Sequence, residues 1–94
     1  MSLYQVVDPA TGDVVKEYPT ATDEQVDAAI TAAYDAFQTW SKKSTVAERA
    51  ALIRRVGELH TERKDELAKI IVREMGKPYD QSVGEVEFSA AIYE

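Results

Sequence analysis

Ninety-four residues, 45% of them hydrophobic and 30% charged, bound the chain to at most one globular domain with a thin core. Acidic side chains outnumber basic ones 17 to 11, and the net charge of -6 disfavours a nucleic-acid partner. The absence of cysteine excludes disulfides, thiolate metal sites and a thiol nucleophile within these residues.

The chain opens on two short strand-forming segments, Tyr4-Gln5-Val6-Val7 and Val14-Val15-Lys16-Glu17-Tyr18. Between them, Asp8-Pro9-Ala10-Thr11-Gly12-Asp13 has turn chemistry: a preset proline φ, an aspartate able to bond its own backbone, and a glycine for positive φ. A β-hairpin is expected over 4–18. A first helix is expected over 22–40, opened by the capping box Thr22-Asp23-Glu24-Gln25. Val26, Ile30, Ala33, Phe37 and Trp40 form its apolar stripe, and Trp40 reads as a core anchor.

A second capping box, Thr45-Val46-Ala47-Glu48, opens a helix over 45–76. Its apolar beat of Leu52, Val56 and Leu59, resumed at Leu67, Ile70 and Ile71, falters between His60 and Asp65. That pattern predicts a kink or split near 62–64, as two pieces or one bent helix. Gly76 and Pro78 end it. A third helix is expected from 79 to 94, carrying Val83, Val86, Ala90 and Tyr93 and still running at the last residue. The fold class is therefore mainly α with an N-terminal β-hairpin, α+β as an isolated piece.

Residue chemistry offers little. His60 is a single imidazole without a second ligand, so no metal site is expected. Glu85 and Glu87 are two apart on a helix and cannot face each other as an acid–base pair. The four glycines are scattered and form no phosphate-cradling loop. No run of 18 apolar residues predicts a membrane span. The N-terminus has no basic region followed by an apolar one, so cytoplasm is the default expectation. No catalytic, cofactor-binding or metal residue is expected in this stretch.

Several segments, taken together, resemble the N-terminal part of an aldehyde dehydrogenase. "DPATGDVV" is similar to the superfamily's opening hairpin, with Asp8 in place of the usual Asn. The stretch from "ATDEQVDAA" to "REMGKP" resembles the superfamily's next segment, with Phe37 and Trp40, Glu48-Arg49, Arg54-Arg55 and Glu74-Met75-Gly76-Lys77-Pro78. "REMGKP" with "GEV" is most similar to bacterial succinate-semialdehyde dehydrogenases.

This resemblance implies that the chain is part of an α/β, Rossmann-type nucleotide-binding domain. The intact enzyme would oxidise a small aldehyde with NAD or NADP, through a cysteine thioester and a glutamate-activated water. It further implies a homo-oligomer, and that these 94 residues are inactive and bind no cofactor. Glu85 and Ser89 would lie near the substrate tunnel as substrate-access residues. The helices would lack packing partners, so the isolated piece is expected to self-associate. A reading of a different class is a self-contained helical module that binds a protein partner through its apolar stripes.

Overall fold

A computed structural model describes residues 3–94. The order of elements is β1 (Tyr4–Val7), β2 (Val14–Tyr18), α1 (Asp23–Ala36) with a π-helical extension (Phe37–Ser41), α2 (Val46–Glu62), α3 (Lys64–Met75) and α4 (Tyr79–Ile92). No described helix is long and apolar enough to cross a membrane.

Strands β1 and β2 pair antiparallel, Tyr4 against Tyr18 and Val7 against Val14, with a register shift between Val6 and Val7. The connecting loop is held by its own polar groups. The Asp8 carboxylate accepts from the Ala10 amide at 2.9 Å, and the Asp8 carbonyl accepts from the Gly12 amide at 2.8 Å. Gly12 has φ 77°, the left-handed conformation that favours glycine.

Both capping boxes close. The Thr22 hydroxyl accepts from the Gln25 amide at 3.1 Å, and the Gln25 side chain accepts from the Thr22 amide at 2.9 Å. Thr45 and Glu48 repeat the arrangement at 3.1 and 3.3 Å. These contacts satisfy amides that would otherwise lack partners at each helix start.

The first helix does not stay α-helical to residue 40. The Thr39 hydroxyl donates to the Asp35 carbonyl at 2.8 Å, a back-bond of the kind that bends helices. The backbone widens there into the π-helical turn, and the Lys42 amide reaches back to the Phe37 carbonyl at 3.0 Å. Arg49 closes the turn, its Nη1 donating to the carbonyls of Ser41 and Ser44 at 3.0 and 2.8 Å.

The faltering beat after His60 is a break at Arg63 (φ -103°, ψ 21°), so α2 and α3 are separate pieces. Gly76 ends α3 with φ 74°, and the side chain of Pro9 from the hairpin loop lies against it. α4 starts behind Pro78 and runs to Ile92, and the Tyr93 and Glu94 amides bond three residues back, to the Ala90 and Ala91 carbonyls at 3.2 Å each.

Helix α4 packs on α3 and α2. The buried residues at these contacts are small: Gly57, Ala68, Ser82, Val86 and Ala90. Ser82 is fully buried and satisfied, its hydroxyl donating to the Lys77 and Pro78 carbonyls at 3.3 and 3.1 Å. At Gly57 even a methyl group would meet Tyr93 Cβ at 3.0 Å and the Ala90 carbonyl oxygen at 3.1 Å.

The molecule measures 47 × 36 × 14 Å, so its thin dimension is little more than one helix. Its radius of gyration is 17.6 Å, where a compact chain of this length has about 12–13 Å. This flatness corrects the expected role of the first stripe. Trp40 is 48% exposed and Ile30 63%, and α1 packs substantially only with its own π-helical extension. Among the described residues no second layer covers the stripe.

The two helical glycines should respond oppositely to substitution. Gly57→Val is expected to lose about 2 kcal/mol through overpacking against α4. Gly84→Ala, whose methyl meets open space, should gain about 0.5–1 kcal/mol from helix propensity. Urea unfolding midpoints of the two variants check both signs.

Candidate functional site

The predicted substrate-access residues lie on α4. Glu85 is exposed and its carboxylate accepts from Lys77 Nζ at 2.8 Å, tying the helix to the Gly76-Lys77-Pro78 turn. Ser89 is half-buried one turn further on, on the same side of the helix by its four-residue spacing. Glu87 leaves the helix in another direction and pairs with Lys64 of α3 at 3.3 Å. Gly84 opens no close approach within this chain, because nothing lies within 4 Å of a Cβ there.

A groove lies elsewhere. It is open, about 540 Å3, and lined by Arg54, Gly57, Glu58, Thr61, Glu62 and Glu94. Neither Glu85 nor Ser89 lines it. Sequence periodicity misses this groove because its walls come from α2 and the last residue of the chain, joined only by tertiary packing. Beside it, Arg55 holds Glu62 at 2.8 Å and Glu58 at 3.0 Å. Hydrogen bonding to Arg55 first, and its charge second, lower the Glu62 pKa, while the same contacts raise that of Arg55. All three side chains are more than half exposed, so the cluster contributes little to stability.

His60 is an interface residue. Its Nδ1–H donates to the Val56 carbonyl at 2.8 Å, and its ring lies 5.0 Å from that of Tyr93. The hydroxyls are likewise structural: Thr22 and Thr45 cap helices, and Ser44, Thr39 and Ser82 donate to carbonyls. Among the described residues no group of three or more potential metal ligands comes together. The starts of α1 and α2 carry acids in their first turns and cap their own amides. A dinucleotide's pyrophosphate needs free amides and no nearby negative charge, so neither helix start fits one. Among the described residues the arrangement is one of positioning contacts.

Comparison with known proteins identifies the class. The chain belongs to the aldehyde dehydrogenase family, whose model matches residues 2–94. It is 42% identical over 89 residues to the succinate-semialdehyde dehydrogenase [NADP(+)] of Deinococcus radiodurans, covering 95% of this chain and 18% of that protein. It is also 42% identical over 91 residues to the mitochondrial succinate-semialdehyde dehydrogenase of Rattus norvegicus, with 97% and 17% covered. Among solved structures, succinic semialdehyde dehydrogenase from Streptococcus pyogenes, in complex with NADP+, superposes with a TM-score of 0.88 at 28% identity. That match covers 96% of this chain and 20% of the other. The chain thus spans about a fifth of the length of these relatives, in which this region belongs to the nucleotide-binding domain.

A second polar contact, beside Lys64–Glu87, joins α4 to the start of α3. The Tyr79 hydroxyl donates to the Asp65 carboxylate, which also pairs with Lys69 at 3.0 Å. The bond from Tyr79, then that from Lys69, lower the Asp65 pKa below its ordinary 3.8; the bond to Asp65 raises the Tyr79 pKa above 10.0. The carboxylate's contribution is present above pH 3.8 and is lost as pH falls through the lowered value. The phenol's is present below pH 10.0 and is lost as pH rises through the raised one. In Tyr79→Phe the Asp65 titration midpoint, followed by carboxyl NMR shifts, should move upward; an unmoved midpoint would refute the hydrogen bond.

Proposed function

We propose that these residues form the N-terminal shoulder of the nucleotide-binding domain in an NAD(P)-dependent aldehyde dehydrogenase whose substrate is succinate semialdehyde. The observation that carries this reading is the 42% identity to two succinate-semialdehyde dehydrogenases along nearly the whole chain. Malonate-semialdehyde dehydrogenases match almost as well, at 42% identity over 82 residues for one from Geobacillus kaustophilus. Both substrate names describe an aldehyde carrying a carboxylate.

In the proposed reaction a cysteine thiolate adds to the aldehyde, the tetrahedral adduct loses two electrons as hydride to become a thioester, and water hydrolyses the thioester to the acid. The electrons leave to NAD(P)+. These 94 residues hold no cysteine and no fitting dinucleotide cradle, so their contribution is structural and they are inactive alone. The intact enzyme is a cytoplasmic homo-oligomer in this reading, acting on neither nucleic acid nor membrane. Glu85 and Ser89 border the route taken by substrate. The competing reading, a self-contained interaction module, is weaker because the family match extends from residue 2 to residue 94.

Expression of the continuous reading frame that contains this sequence provides the test. With succinate semialdehyde and NAD+ or NADP+, the longer product should generate reduced nicotinamide, and the 94-residue chain should generate none. In the longer product, Glu85→Ala should raise KM several-fold with little change in kcat. A frame that closes after codon 94, or a longer product inert toward semialdehydes, would overturn the proposal.

A further inference from the structure

Helix α4 carries three acids, Asp80, Glu85 and Glu87, and no lysine or arginine between Tyr79 and Ile92. One turn to either side of Glu85 stand Gln81 and Ser89, so the helix offers this carboxylate no cation of its own. A lone glutamate on a helix surface samples several rotamers, and ordering it costs side-chain entropy. Glu85 is nevertheless held, because Lys77 Nζ reaches it from outside the helix at 2.8 Å. About 9 Å of helix rise separates residue 79 from residue 85, so the lysine stem must extend along the first turns of α4. That lysine side chain is 28% exposed, whereas the cations of the other ion pairs among the described residues run from 41% to 69%. A shielded pair is weakened less by salt than an open one.

The lysine is itself fixed at its backbone. Gly76 before it is left-handed at φ 74°, and a methyl group there would meet Pro9 Cβ of the hairpin loop at 3.2 Å. Pro78 behind it holds the ring-restricted φ of -54°. The fully buried Ser82 hydroxyl donates to the Lys77 carbonyl at 3.3 Å and to the Pro78 carbonyl at 3.1 Å. A side chain whose backbone is pinned on both sides gives up less freedom when it makes one further contact. Lys77 therefore connects a rigid turn to a carboxylate that would otherwise be loose.

We propose that Lys77 is a positioning residue for the dehydrogenase reaction, acting through Glu85. It fixes that carboxylate at the border of the substrate route and so sets how readily substrate binds, without touching substrate itself. The inference rests on the role in substrate access proposed above for Glu85. What the position requires is a cation of sufficient reach. Arginine can supply one, whereas methionine keeps the stem and loses the charge.

The longer product, assayed with succinate semialdehyde and NAD+ or NADP+, provides the test. Lys77→Met should raise KM several-fold and leave kcat within about twofold of the parent. Lys77→Arg should return KM to near the parent value. Joined to Glu85→Ala, Lys77→Met should add no further increase, since both remove the same contact. Lys77→Gln serves as a second uncharged variant, and unchanged far-ultraviolet circular dichroism shows that each variant folds. A parent-like KM in both uncharged variants, an equal fall in kcat that arginine does not rescue, or additive effects would overturn the proposal and leave the dehydrogenase reading standing. A silent Glu85→Ala in an active product would overturn the access role and this proposal with it; a product inert toward semialdehydes would overturn the dehydrogenase reading as well.

Discussion

The approach of α4 to α2 at Gly57 sets the rest of the packing. Tyr93 and the Ala90 carbonyl lie where a side chain at 57 would stand. Only with that gap closed can the Tyr93 ring reach His60, whose own proton is held by Val56. α3 then meets α4 through Ala68, Val86 and Ser82, again small residues. The three helices lie close because they give up side-chain bulk, and the cost is a core with little apolar volume.

That choice explains the shape. A layer one helix thick can be well packed within its plane and still leave both faces in water. Large apolar residues consequently sit outside: Leu52 at 55% exposure and Phe88 at 68%. The accessible surface is that of a part whose faces are made to be covered. In the solved relatives this region is about a fifth of a chain, which accounts for cover on the scale the surface demands.

Electrostatics works at the joints of the layer and not in its interior. Lys77 with Glu85, Lys64 with Glu87, and Tyr79 with Asp65 each connect α4 to its surroundings across exposed positions. In water such contacts orient helices more than they stabilise them. The chain holds no cysteine, and its polar contacts act to position helices.

Local interactions were readable in advance because both partners lie within a few residues. The capping boxes at Thr22 and Thr45, the Asp8–Gly12 loop, the break at Arg63 and the Gly76 stop all depend on neighbours three to five positions away. The stripe of Val83, Val86, Ala90 and Tyr93 also marks the packed face of α4. Periodicity could not reveal that the stripe ending in Trp40 lacks a partner, since it reports which face is apolar and not what lies opposite. Nor could it single out Gly57 among four glycines, place Ser82 at zero exposure, or assemble the groove at Arg54 and Glu94. Each of those depends on residues far apart in the chain, whose meeting is decided by how the helices pack. By itself the sequence determined the family and the local caps and turns; the tertiary structure alone decided which surfaces are closed and which remain open.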